Sequence, residues 1–355
     1  MLLAMNNTVT SNFVHPNCKL NGFHFSAEDL GRVAYSFIKE GAQYEKAIGY
    51  FILDWFDDSN FIEMQTSGTT GTPKVIRVAK QAMVNSALAT GEFFEAGPST
   101  TALHCLPSQF VAGKMMLVRT FILGWHTDLV EPSSNPLERN GTVYDFCAMV
   151  PLQAQHSLEK LNNIKKLILG GAKVSSALSK QLETLDTKVY ETYGMTETVS
   201  HIAAKRIAEP AFTVLPNVDI STDDRNCLVI NPYKLTDETL ITNDVVDIID
   251  STHFVWLGRY DNVINSGGVK LFPEQIEEKL SHHITQRFFV AGVPDATLGE
   301  KLVLVIEGKP YTLNDTVFSN LGKFEKPKDV LFTDTFIETG SGKIQRAAIL
   351  KWLGF

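Results

Sequence analysis

Two hydrophobic textures alternate along this chain. Short apolar runs of strand length occur at residues 61–64, 75–78, 100–106, 127–130, 145–150, 165–169 and 188–192. Between them lie segments of helical length and spacing at residues 80–94, 111–123, 152–161 and 174–185. Strands alternating with helices predict a parallel sheet with crossover helices, an α/β architecture. Upstream, Ser26-Ala27-Glu28-Asp29 reads as a helix start, with Ser26 as cap and a helix reaching about Glu40 before Gly41. Between residues 203 and 256 the apolar runs shorten and turns crowd in, as in antiparallel sheet. Residues 245–249 and 253–257 flank Asp250-Ser251-Thr252 as a hairpin. After Gly258 a new α+β pattern begins, with a helix from Pro273 to about His283 and proline in its first turn. The pattern therefore predicts a domain of residues 1–258 and a smaller one of residues 259–355.

Composition narrows the function classes. The chain has 355 residues, 44% hydrophobic and 20% charged, enough for a large core and too long for most single domains. A net charge of −8 argues against a general binder of nucleic acid or membrane surface, so any polyanionic ligand needs locally placed donors. The four cysteines, Cys18, Cys105, Cys147 and Cys227, have no metal-ligand spacing and read as buried free thiols of a reducing cytosol. The first residues carry no basic flank and no apolar core of a signal peptide, and Arg119 interrupts the one long apolar stretch. A soluble cytoplasmic protein without a membrane span is expected. Homo-oligomerisation stays open.

Between the runs at 61–64 and 75–78 stands Thr66-Ser67-Gly68-Thr69-Thr70-Gly71-Thr72-Pro73-Lys74. Its glycines allow tight turns through which successive N–H groups converge on phosphate oxygens; five hydroxyls and Lys74 add donors. The spacing differs from a Walker loop, and a strand rather than a helix follows. Taken alone, a polar Gly/Thr surface hairpin is the plainer reading of the stretch.

Four later stretches decide between these readings. Leu169-Gly170-Gly171-Ala172-Lys173 follows a strand and precedes a helix. Glu191-Thr192-Tyr193-Gly194-Met195-Thr196-Glu197-Thr198 follows another. Gly258-Arg259-Tyr260-Asp261-Asn262-Val263-Ile264 and Ser266-Gly267-Gly268 run into Pro273-Glu274-Gln275. Glu338-Thr339-Gly340-Ser341-Gly342-Lys343-Ile344 lies near the end. In this order, from Thr66 to the C-terminus, the set resembles the adenylate-forming superfamily of acyl-CoA ligases, adenylation domains and luciferases.

The resemblance implies a large adenylate-forming domain, a small mobile C-terminal domain, and a two-step reaction on a small carboxylic acid. The acid attacks the α-phosphate of ATP, pyrophosphate leaves, and the thiol of coenzyme A then displaces AMP. Thr66, Ser67, Gly68, Thr69, Thr70, Gly71 and Lys74 would hold the departing phosphates. Thr196 would donate to the α-phosphate, and Glu197 would help hold Mg²⁺. Tyr193 would face adenine beside Gly170, Gly171 and Ala172. Asp244 and Arg259 would bind the ribose, with Asn243 standing where a glycine is usual. Lys343 would bridge the two reacting anions. Asp261 matches the hinge about which Lys343 leaves and Gly267 and Gly268 arrive for the thiol step. Without the ordered set, each of these residues has a plain reading as core aromatic, turn former or solvated charge.

The stretch from Leu106-Pro107 to Arg119 resembles the o-succinylbenzoate–CoA ligase branch of menaquinone biosynthesis. Arg119 stands where that branch places a pocket arginine, and Phe110 where it has a histidine. Ser200 and His201 resemble the same pocket edge. A second, unreacting carboxylate would suit Arg119, since a guanidinium grips a carboxylate at two points; a surface or interdomain ion pair is the plain alternative. The Thr/Gly loop begins far closer to the N-terminus than in ordinary relatives, and Val75 replaces a usual glycine. The resemblance thus implies that most of an N-terminal subdomain is absent. The rivals are another aryl or acyl acid ligase, one serving a carrier-protein thiol included, and a non-catalytic nucleotide binder.

Overall fold

A computed structural model describes residues 9–65, 75–338 and 344–355. The chain divides into two compact units. The first comprises Met1–Ile220, Ile230–Leu240 and Asp250–His253; the second comprises Ser221–Val229, Ile241–Ile249 and Phe254–Phe355.

The first unit opens with β1 (Lys19–Leu20) and β2 (Phe23–His24), joined at Asn21-Gly22. Both turn residues have positive φ, 48° and 84°, as a tight hairpin of this kind requires. Helices α1 (Ala27–Glu40) and α2 (Gln43–Phe56) follow. The start of α1 is the capping box read from the sequence, with Ser26 and Asp29 bonding reciprocally. Next come β3 (Phe61–Gln65) and β4 (Val75–Ala79), an antiparallel pair in which Phe61 faces Ala79. The Thr66–Lys74 stretch lies between them, outside the described residues.

The alternating region contains α3 (Lys80–Phe93), β5 (Thr101–His104), α4 (Val111–Leu123), β6 (His126–Leu129), β7 (Tyr144–Met149) and α5 (Pro151–His156). It continues through β8 (Ile164–Leu169), α6 (Ser176–Glu183) and β9 (Lys188–Gly194) to β10 (His201–Arg206) and β11 (Phe212–Val214). The sheet order is β11-β10-β9-β8-β7-β5-β6-β1-β2. Strands β6, β5, β7, β8 and β9 are mutually parallel, whereas β10 and β11 pair antiparallel. The expected crossover architecture is present. Helix α4 is buried nearly all round, from Gly113 to Leu123, so it is a core helix rather than an amphipathic cover.

In the second unit, β12 (Asp219–Thr222), β13 (Cys227–Asn231), β14 (Leu240–Asp250) and β15 (His253–Arg259) are successive neighbours. A separate sheet is built from β16 (Ile264–Ser266), β17 (Val269–Leu271), β18 (Phe288–Asp295), β19 (Gly299–Glu307) and β20 (Asp329–Thr333). Helix α7 (Pro273–Leu280) and the last helix, α8 (Arg346–Trp352), complete it. Ile276, Leu280, Val290, Leu302 and Leu304 form part of its own core. All four cysteines are buried free thiols. No described helix is long and apolar enough to cross a membrane.

Candidate active site

In the first unit, the glycine-rich turn and the Tyr-Gly-Met-Thr-Glu stretch emerge from adjacent parallel strands. Leu169 pairs with Glu191, and Gly170 N–H donates to Met149 O at 3.2 Å. Thr192 Oγ1 donates to Leu169 O at 2.9 Å, and a Cβ on Gly170 would stand 2.9 Å from that hydroxyl. Gly171 has φ +81°, in the left-handed region that favours glycine. Tyr193 packs edge-on against Phe212, with ring centroids 5.9 Å apart. Gly194 is required by contact rather than by φ: a Cβ there would lie 2.3 Å from Ser200 O.

Thr196–Thr198 form a single 3-10 turn, with Glu197 exposed and Thr198 buried. Thr198 Oγ1 accepts from Met195 N–H, and its one proton is shared between Ser200 O at 2.7 Å and Met195 O at 2.9 Å. Val199 then takes φ +68° and ψ −52°, and Ser200 N–H bonds Thr198 O at 2.7 Å. A β-branched residue at the centre of such a γ-turn is strained by about 1–3 kcal/mol. That turn sets the direction in which Ser200 and His201 leave the motif.

Arg119 is buried within α4 and is 2% exposed. Its Nη2 donates to Ser200 Oγ at 3.2 Å and faces His201 Nδ1 at 3.5 Å. Among the described residues, Nη1 reaches only the Met116 sulfur at 3.7 Å and Nε has no partner. Among the described residues no carboxylate lies within ion-pair distance of it. Burial pulls the Arg119 pKa down to about 9, and burial together with Arg119 holds His201 well below its ordinary value. Arg119, Ser200 and His201 are thus brought together, neither at the surface nor in an ion pair among the described residues. Phe110 is not part of this cluster. It caps α4, is largely exposed, and precedes Arg119 by about 13 Å of helix rise. Gly113 is fixed by packing, since a Cβ there would lie 2.4 Å from Pro107 O.

Asp244, Arg259 and Asp261 gather in the second unit. Arg259 Nη1 stands 3.6 Å from Asp244 Oδ1, and its Nη2 stands 3.7 Å from Asp261 Oδ2. Trp256 Nε1 donates to the same Asp244 oxygen at 3.1 Å. Asn243 Nδ2 donates to Asp261 Oδ2 at 3.3 Å, while its Oδ1 accepts from Arg225 Nη1 at 2.9 Å. The Arg225 guanidinium also lies 5.1 Å from the centre of the Tyr260 ring. Gly267 and Gly268, φ +60° and +82°, make the two-residue turn between β16 and β17. That turn accounts for both glycines by itself.

Sequence reading missed Thr90, Trp256 and Arg225, which support these side chains. Thr66, Ser67, Gly68, Thr69, Thr70, Gly71, Lys74 and Lys343 lie outside the described residues. Among the described residues no group of three or more His, Cys, Asp or Glu could hold a metal alone. Mg²⁺ usually takes one or two carboxylates and completes its shell with phosphate and water. One exposed carboxylate at Glu197, beside Thr196, fits an ion that arrives with a nucleotide.

Residues 57–234 match the family described as AMP-binding enzyme. The chain belongs to that family, the adenylate-forming superfamily of acyl-CoA synthetases and related ligases. Among curated relatives, the 2-succinylbenzoate–CoA ligase of Lactococcus lactis is 26% identical over 322 residues, covering 82% of this chain and 71% of that protein. A solved acyl-CoA synthetase (AMP-forming)/AMP-acid ligase II-like protein from Dyadobacter fermentans is 37% identical with a TM-score of 0.63. That match covers 91% of this chain and 98% of the Dyadobacter chain. The o-succinylbenzoate CoA synthetase of Bacillus subtilis, solved with an acyl-adenylate, shares the fold at 21% identity and TM-score 0.69. It is covered over 68% of its length, against 81% of this chain.

Proposed function

We propose that the protein converts o-succinylbenzoate to its coenzyme A thioester through an acyl-adenylate, as a soluble cytoplasmic step of menaquinone biosynthesis. The observation that carries the substrate choice is Arg119, a buried guanidinium without a carboxylate partner among the described residues. An unpaired buried charge is costly, and a bound carboxylate removes that cost. A diacid offers one carboxylate to ATP and the other to Arg119, where Ser200 Oγ adds a polar edge.

ATP would lie with adenine beside Tyr193 and the Gly170–Ala172 turn, and with its ribose hydroxyls on Asp244 and Arg259. Thr196 would donate to the α-phosphate and the Thr66–Lys74 loop to the departing phosphates. Glu197 would hold Mg²⁺, which supplies neutralisation of phosphate charge when bound. Attack of one anion on another needs positive charge already in place, and Lys343 would provide it between carboxylate and α-phosphate. Residues 259–355 would then rotate about Asp261, exchanging Lys343 for Gly267 and Gly268 during thioester formation.

The test is pyrophosphate release across a panel of mono- and dicarboxylic acids, with and without coenzyme A. Preference for o-succinylbenzoate with a coenzyme A thioester product is expected. Preference for a monoacid, or release without thioester formation, would contradict the assignment.

A further inference from the structure

The arginine of the proposed acid pocket is held by a donor–acceptor chain that starts on α3, in a stretch no motif covers. Thr90 Oγ1 donates to Ser86 O at 2.9 Å, one helical turn back. A hydroxyl has one proton, so Thr90 meets His201 Nε2, 3.4 Å away, only as an acceptor. The imidazole therefore carries its proton on Nε2 and keeps a lone pair on Nδ1. That lone pair faces Arg119 Nη2 at 3.5 Å and Ser200 Oγ at 3.4 Å, both of which donate. The other tautomer would turn an N–H towards a guanidinium that has only donors.

Thr90, His201 and Arg119 are all buried, so a lost partner leaves a poorly solvated polar group. Contacts of 3.4–3.5 Å are long for hydrogen bonds. Active-site hydrogen bonds are often this long before a ligand binds and shorten in the complex. We infer that Thr90 and His201 are positioning residues: through the Thr90 hydroxyl they fix Arg119 for the unreacting carboxylate, and so set the preference for a diacid. This rests on the reading of Arg119 as a carboxylate site.

The experiment compares kcat/KM for pyrophosphate release with o-succinylbenzoate and with 4-oxo-4-phenylbutanoate, which lacks the ring carboxylate. The proteins are the native chain, Thr90→Val, Thr90→Ala and Thr90→Ser. Removing the hydroxyl should lower the diacid-to-monoacid ratio about tenfold, the scale of one unsatisfied buried donor, mainly through KM for the diacid. Thr90→Ser, which keeps the hydroxyl, should restore most of the ratio. A selective native enzyme whose ratio is unmoved by Val and Ala overturns the inference. So does equal loss on both acids that Ser fails to rescue. A native ratio near one instead contradicts the Arg119 reading, whatever Thr90 does.

Discussion

The indole N–H of Trp256 donates to Asp244 Oδ1 at 3.1 Å, and Arg259 Nη1 approaches the same oxygen at 3.6 Å. One carboxylate is thus oriented by an aromatic donor and balanced by a guanidinium. If that carboxylate accepts from ribose, Asp244→Ala should weaken ATP binding by roughly 1.5–3 kcal/mol, the range for hydrogen bonds to a charged group. Inorganic triphosphate, which has no ribose, should bind about equally to both proteins. Trp256→Phe should cost about 1 kcal/mol in the native background and almost nothing in Asp244→Ala, read as a double-mutant cycle by calorimetry. Unchanged nucleotide affinity in Asp244→Ala would assign the residue to the strand's structure alone.

Lys343→Ala should separate the two half-reactions. Adenylate formation should slow by at least on the order of 10²–10³, the scale for losing one preorganised electrostatic partner. Conversion of supplied acyl-adenylate to thioester should change little. Equal loss in both steps would contradict domain alternation.

Gly194 offers a test of how the motif is held. A methyl group there would collide with Ser200 O, a backbone atom that cannot swing aside. Gly194→Ala should destabilise the protein by about 1–3 kcal/mol in urea titration, and it should impair acid binding more than ATP binding. Native-like stability and acid affinity would show that the Ser200 backbone is free to yield.

Stability should fall with acid. Burial pulls the His104 pKa down to about 4, so the unfolded chain takes up a proton below about 6.5 that the folded chain refuses. The contribution is complete above pH 6.5 and is lost as pH falls towards 4. By pH 5 the loss from this residue is about 2 kcal/mol. His201 shifts in the same direction. His104→Gln, which does not titrate, should show a shallower loss between pH 7 and 5 in urea melts. An identical slope would show that His104 protonates without penalty.

The parts legible in the sequence were those governed by local periodicity and caps. Helix α4 occupies residues 111–123 as the pattern predicts, ended by Gly124 at φ +71°. A hairpin turning at Ser251-Thr252 folds residue 244 back beside 259, so the meeting of Asp244 with Arg259 was implicit in that turn. Elements decided by remote contacts were harder. Helix α2 starts after Ala42, which gives no side-chain cap. The expected helix over 152–161 breaks at Ser157, whose hydroxyl bonds Asn135, and continues as a 3-10 turn. The 174–185 helix starts late because Ser175 caps it. The Asn21-Gly22 turn was an available hairpin signal, muted by strands of two residues each. The support of Arg119 by Thr90 and His201 joins residues 111 positions apart, which no periodicity records.

The most direct test is the diacid preference itself, measured as kcat/KM for o-succinylbenzoate and 4-oxo-4-phenylbutanoate in the native protein, Arg119→Leu and Arg119→Lys. Breaking one side of a buried ion pair costs about 3–5 kcal/mol, so native discrimination should exceed about a hundredfold. Arg119→Leu should narrow or reverse it, and Arg119→Lys should recover only part, because an ammonium lacks the planar fork. Parallel loss on both acids in Arg119→Leu would make Arg119 a scaffold residue and contradict the assignment.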